Sequence, residues 1–296
     1  MPSACTTRRS RKTIAFFAVV VIFVCLFFAY FSNLHQCISY HQVFASDTGR
    51  FMNAEGEICE VSTLHTLSHQ PKRMELSSSD VDATFSLGYA RLVLDPNEII
   101  KISYDGYRGR IGIECEGYSI GFLPPGKPYA FSDIDYLGNI SREFLPGDAF
   151  EAQVKVADTL PKTYFQIFFM PEHEFREYMI SCFLKTAYMY NQNGIGIFEN
   201  NNIKGVVGFG AVRDPCAMVA DVYSGDTAIA QTIMVRSDSP EKTEEILLSI
   251  LSSYAYLIEQ PLDDDALNEI IVDSLGSHPL FCLKSSEDKS AIDMDN

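Results

Sequence analysis

Nineteen consecutive uncharged residues, Thr13 to Phe31 (TIAFFAVVVIFVCLFFAYF), constrain this chain more than any other feature. As a helix they span about 28 Å, close to the hydrocarbon thickness of a bilayer. A helix also satisfies its own backbone amides, which lipid cannot do. Four cations, Arg8, Arg9, Arg11 and Lys12, precede the run, and the next Lys or Arg is Arg50. Such flanking charge holds the leading end in the cytosol. The sequence thus predicts a basic cytoplasmic tail (1–12), a single-pass transmembrane anchor (13–31) and an extracytoplasmic remainder. A cleaved signal peptide is the competing reading. Its apolar core would run about 7–15 residues and be followed closely by small residues. Here the first tolerable site, around Val43-Phe44-Ala45, lies too far downstream. Leu34, His35 and Gln36 before Cys37 do not make a lipid-attachment box.

The chain carries −16 overall, and −20 once the four tail cations are set aside. A domain this acidic repels phosphate backbones, which argues against a nucleic-acid partner. Six cysteines follow the anchor: Cys37, Cys59, Cys115, Cys182, Cys216 and Cys282. An exported compartment permits disulfides, and one is expected, but the wide spacing names no pair. Cys182 lies on an apolar helical face and reads as a buried free thiol. Asn139-Ile140-Ser141 is a glycosylation sequon, meaningful in a eukaryotic host.

Residues 32–80 are polar and weakly periodic and read as a stalk, closed by Ser77-Ser78-Ser79-Asp80. From Val81 short β-rich runs alternate with Gly, Pro and Asp turns: Tyr89–Leu94, Glu98–Tyr104, Arg110–Cys115 and Tyr118–Phe122. Ala149–Val156 and Tyr164–Met170 are further strand candidates. A helix starts near Pro171, with Glu172 and Glu174 at its positive end, and stops at Asn191–Gly194. Gly194–Phe198 with Ile203–Val212, and Met218–Tyr223 with Ala228–Arg236, read as two hairpins. A second helix has Ser239 as cap and Pro240 in its first turn. Its apolar stripe runs from Ile246 through Tyr254, Leu257 and Ile258 to a stop at Pro261. The fold class is α+β: an N-terminal transmembrane helix, then a largely antiparallel sheet with two packed helices in an extracytoplasmic domain at 81–262. Residues 263–296 form an acidic C-terminal segment.

The order of elements from Gly117-Tyr118-Ser119-Ile120-Gly121-Phe122 to Leu257 resembles the PsbP/Mog1-like group of α/β/α sandwiches. Leu251-Ser252-Ser253-Tyr254 stands where that group carries a small-residue-plus-aromatic signature. The resemblance covers about half the chain and implies binding or assembly rather than catalysis. It carries over no functional residue.

Three constellations bear on chemistry. Gly117-Tyr118-Ser119-Ile120-Gly121 fits the G-x-S-x-G nucleophile elbow, with Asp221 or Asp226 and then His278 in hydrolase order. An elbow needs a helix after the serine, and Phe122-Leu123-Pro124-Pro125-Gly126 cannot start one promptly. A strand with flanking glycines is the plainer account. His65 and His69, spaced i, i+4, with Cys59 upstream, could hold a metal on a helix, but no fourth ligand is visible; a polar stalk is the plainer account. Gly205-Val206-Val207-Gly208-Phe209-Gly210 lacks the helix that a phosphate loop requires. These residues point to a membrane-anchored binding or assembly protein. It is expected to work without catalysis, metal or cofactor and to contact lipid through 13–31 and a protein partner at the membrane surface. The alternative is a tethered serine hydrolase using Ser119, Asp221 and His278.

Overall fold

The computed structural model describes residues 5–44, 49–52, 58–61, 67–76, 84–106, 109–123, 125, 149–190, 194–200, 202–210, 214–224, 229–260 and 262–284. One helix, α1 (Cys5–Phe44), contains the apolar run. Within its stretch Phe16–Gln42 the most apolar eighteen-residue window has a mean hydropathy of 2.4, and the stretch is long and apolar enough to cross a membrane. The helix does not end at Phe31. It continues to Phe44 through residues expected to open a polar stalk, and there Gln36 and Tyr40 are buried. A hairpin follows, β1 (Gly49–Met52) against β2 (Ile58–Val61).

The body is a nine-stranded sheet. Its interior strands are β6 (Ile99–Asp105), β7 (Arg110–Cys115), β8 (Tyr118–Phe122), β12 (Ala230–Ser237), β11 (Ala217–Ser224), β10 (Ile203–Phe209) and β9 (Gly194–Glu199), in that spatial order. Every pairing among them is antiparallel. Two short parallel strands close the edges: β14 (Phe281–Lys284) beside β6, and β3 (Lys72–Met74) beside β9. The sheet therefore draws strands from both segments outside 81–262.

Two helical layers cover the sheet, and the two-residue period of each strand assigns side chains to them. On β11, Met218, Ala220 and Val222 join the main core with Leu247, Ile250 and Leu251 of α5 (Pro240–Ser253). Tyr223 points the other way, against Phe150 of α2 (Ala149–Asp158), with ring centroids 5.8 Å apart. The edge strand β3 is tied to both layers by the same alternation. Lys72 pairs with Glu244 of α5, and Arg73 grips both carboxylate oxygens of Asp158 on α2 at 2.7 and 2.8 Å.

Helix α5 starts as expected: the Ser239 hydroxyl accepts from the Lys242 amide, and Pro240 follows. It ends earlier than the apolar stripe suggests. Tyr254 leaves helical geometry at φ −70°, ψ 129°, and β13 (Ala255–Tyr256) pairs with β5 (Ala90–Leu92) in a small sheet that β4 (Phe85–Ser86) completes. The Ser253 hydroxyl helps the break, donating to the Ser249 carbonyl and accepting from the Val93 amide. Tyr254 then points inward and donates to Gln231, which in turn donates to Tyr89 and to the Leu123 carbonyl. Burial pushes both phenols up from their ordinary pKa, so these links are neutral hydrogen bonds. Asp263 caps α6 (Asp264–Leu275), whose Leu267, Ile271 and Leu275 complete this core. Gly88 lets the small sheet approach α6: its φ is +86°, and a Cβ there would stand 2.6 Å from the Ile270 carbonyl oxygen.

Two expected strands are helices. From Phe150 to Val156 apolar and polar residues alternate, yet the segment folds within α2. Phe150, Gln153, Val156 and Ala157 are its buried face. The buried polar Gln153 decides the matter, because its amide donates to Asp221 of β11 at 2.8 Å. Tyr164–Met170, read as a strand from its aromatics, holds the short helix α3 (Tyr164–Phe168). Thr163 and Gln166 close a capping box at its start.

Candidate functional site

The sheet leaves its helical layer exposed on one flank. Three segments meet there: the end of α2, the connection 159–163 into α3, and α4 (Glu172–Tyr190). They enclose an open cleft of about 840 Å³. Lys155 and Asp158 of α2 form one wall, Glu174 and Glu177 of α4 the other, and Lys162 and Tyr178 lie between them. Lys155 pairs with Glu177 across the cleft. The Tyr178 hydroxyl accepts from the Lys162 amide at 2.9 Å and donates to the Leu160 carbonyl at 3.1 Å. The Lys162 ammonium lies 5.5 Å from the Tyr178 ring centroid. This volume is typical of ligand clefts, and the lining mixes both charge signs with an aromatic floor.

Beneath the cleft sits Lys185, fully buried on α4. Its ammonium donates to three carbonyls: Leu67 at 3.2 Å, His69 at 2.6 Å and Thr159 at 2.7 Å. Three protons meet three acceptors, so the cation is fully satisfied. Burial lowers its pKa to about 8, opposed by Cys182 and Asp158. Lys185 thereby clasps the 67–69 segment and the cleft's connecting loop onto α4. One turn earlier, burial pushes the Cys182 thiol up to about 12, so it is an inert neutral side chain.

The same layer receives α1. Tyr40 packs with Leu67, Ile167, Met170, Phe175, Tyr178 and Cys182 in one apolar cluster. The His41 imidazole shares a 2.7 Å hydrogen bond with the Tyr164 hydroxyl, and the Tyr30 and Phe168 rings lie 5.8 Å apart. The cleft is thus built on the helices that seat the apolar helix.

The structure does not bring the hydrolase residues together. Ser119 lies within β8, level with Arg236 of β12 and, one strand further, Ala217 of β11. Asp221 is four residues along β11 from that level, which places it about 17 Å from Ser119 by strand rise and spacing. It accepts from Gln153 and, at 2.7 Å, from Thr232, so its work is to tie α2 to the sheet. His278 follows α6, with its ring 6.3 Å from that of Phe85. Gly117 has φ +80° in the β7–β8 turn, and β8 continues the sheet where an elbow needs a helix. Asp226 lies outside the described residues.

Of the metal candidates, His65 and the Cys59 side chain lie outside the described residues. His69 accepts from the Ile195 amide at 3.3 Å, which joins it to β9. Among the described residues there is no group of three or more His, Cys, Asp or Glu able to hold a metal. Six described cysteines, Cys25, Cys37, Cys115, Cys182, Cys216 and Cys282, are free thiols, so the expected disulfide does not form among them. Asn139 lies outside the described residues.

Sequence reasoning missed the cleft because it read Ala149–Val156 and Tyr164–Met170 as strands and nothing between them. The Thr163-x-x-Gln166 capping box was the available signal. Lys185 is the single charge in the otherwise uncharged stretch Ile180–Tyr188, which is the mark it leaves in the sequence. No family model matches this chain, and neither a curated protein nor a solved structure matches it significantly.

Proposed function

We propose that this is a single-pass membrane protein whose extracytoplasmic domain binds a partner protein without catalysis, and that the cleft between α2 and α4 takes a segment of that partner. Four cations before the apolar run and none close behind it support a cytoplasmic N-terminus. The observation that carries the reading is the cleft itself: about 840 Å³, lined by paired charges, on the layer against which the apolar helix packs. That position holds a bound segment beside the bilayer, where an assembly factor would meet a membrane-bound client. The resemblance to the PsbP/Mog1-like group points the same way.

A photo-crosslinker at Glu174, on the cleft rim, tests this in intact membranes. The expected result is one stoichiometric adduct that disappears with Lys155→Glu, which breaks the pair to Glu177. A crosslinker at exposed Glu114, on β7, is the control. The same adduct from both positions, or no adduct from Glu174, would refute the cleft as the site.

A further inference from the structure

Helix α3 leaves an aromatic patch uncovered. Phe165 is 73% exposed and Phe169 is 65% exposed, with Tyr164 also open to solvent. The Phe165 and Phe169 rings lie 4.8 Å apart, and Phe168 touches Phe169 edge-on at 5.1 Å. Contiguous exposed aromatics are costly in water and mark a contact surface.

Their position identifies what covers them. Helix α3 runs antiparallel to the outer end of α1: Tyr164 meets Tyr40 and His41, and Phe168 meets Tyr30. The end of α3 that carries Phe168 and Phe169 is therefore level with the last turn of the apolar run. That turn carries Tyr30 and Phe31, which are themselves exposed. Aromatic side chains concentrate at this depth in membrane proteins, between headgroups and acyl chains. Through Phe168 the patch reaches Tyr30, the chain neighbour of Phe31, whose ring lies 5.3 Å from that of exposed Phe27.

We propose that Phe165, Phe168 and Phe169 form a second membrane contact, a wedge that inserts into the headgroup–acyl boundary beside the anchor. Two contacts fix the tilt of the domain, where one helix would leave it free to swivel. The wedge thereby presents the α2–α4 cleft at a constant height above the bilayer. Because the remainder of the chain carries −20, anionic headgroups do not recruit it. The contact is apolar and works on zwitterionic lipid.

The inference rests on the anchor reading, and the test separates the two. The chain contains no tryptophan, so Phe169→Trp, Phe165→Trp or Phe27→Trp each introduces a single indole. The full chain is reconstituted in phosphatidylcholine vesicles containing lipids brominated at shallow or deep acyl positions. The expected result is shallow quenching with Phe169→Trp and Phe165→Trp, and deep quenching with Phe27→Trp. Deep quenching at Phe27→Trp with none at the other two would overturn the wedge and leave the anchor intact. Absence of quenching at all three would overturn the anchor and the wedge together. A blue-shifted but unquenched indole at Phe169→Trp would mean that protein covers the patch, and would also overturn the proposal.

Discussion

Replacing Lys185 by methionine removes one ammonium from beneath three carbonyls, Leu67, His69 and Thr159. Methionine keeps most of the side-chain volume, so the packing change costs under about 1.5 kcal/mol. Each carbonyl left without a donor costs about 1 kcal/mol at the low end of the range for buried groups. The low end applies because Thr159 borders the open cleft, where water can reach its carbonyl. The lost hydrogen bonds cost about 3 kcal/mol; relief of the buried charge that lowers the Lys185 pKa offsets this below pH 8, so the loss is read at pH 10.5. Urea unfolding of the detergent-solubilised full chain, followed by tyrosine emission, measures it. Limited proteolysis between Leu67 and His69 should accelerate as well, since the clasp on that segment is gone. A variant within about 0.5 kcal/mol of the parent, the range of an ordinary surface change, would refute the clasp. The pH dependence supplies a second check. The folded pKa of about 8 lies below the ordinary 10.5, so between those values the unfolded chain holds more protons. Stability then rises with pH across that window: the contribution is complete above 10.5 and is lost as pH falls through 8. The gap between parent and Lys185→Met should widen in the parent's favour from pH 8 to 10.5. A gap that narrows would contradict the assignment.

Other substitutions test separate parts of the fold. Asp221→Ala strands the Gln153 and Thr232 donors and should cost about 2–3 kcal/mol in the same urea assay; a neutral result would mean α2 is held otherwise. Gly88→Ala sets a Cβ at φ +86° and 2.6 Å from the Ile270 carbonyl oxygen, and should cost about 1–3 kcal/mol, read as a lowered thermal midpoint. Ser119→Ala should leave stability within about 0.5 kcal/mol, and a fluorophosphonate probe should label parent and variant alike; labelling lost with the serine would reopen the hydrolase reading.

Local chemistry was the legible part of this fold. Arg110–Cys115 and Tyr118–Phe122 match β7 and β8 to the residue because polar turns bracket clean β-rich runs. Ser239-Pro240 marks the start of α5 for the same reason: a cap acts within one turn. What failed depended on distant partners. The alternation of Ala149–Val156 suits a strand as well as a helix until Asp221 claims Gln153. The stripe to Ile258 suits one long helix until Tyr254 finds Gln231 in the core. Edge strands of three and four residues, Lys72–Met74 and Phe281–Lys284, carry too little pattern to be seen. At the site, the residues singled out for chemistry proved scattered. The cleft residues passed unnoticed because their grouping needs three segments, of which one was read as a strand and one, 159–163, as no element at all. Lys185 is the single charge in an otherwise uncharged stretch and drew no notice, because its three acceptors are backbone atoms and leave no mark in the sequence.

The account stands on α1 crossing the bilayer with the sheet domain outside. Spheroplasts of bacteria expressing the full chain are treated with protease, and the chain retained in carbonate-washed membranes is weighed by mass spectrometry. A short fragment containing Thr13–Phe31, with the sheet domain digested, is the predicted result. A full-length chain surviving in the membranes would place the domain on the wrong side, and a chain released by carbonate would remove the anchor altogether.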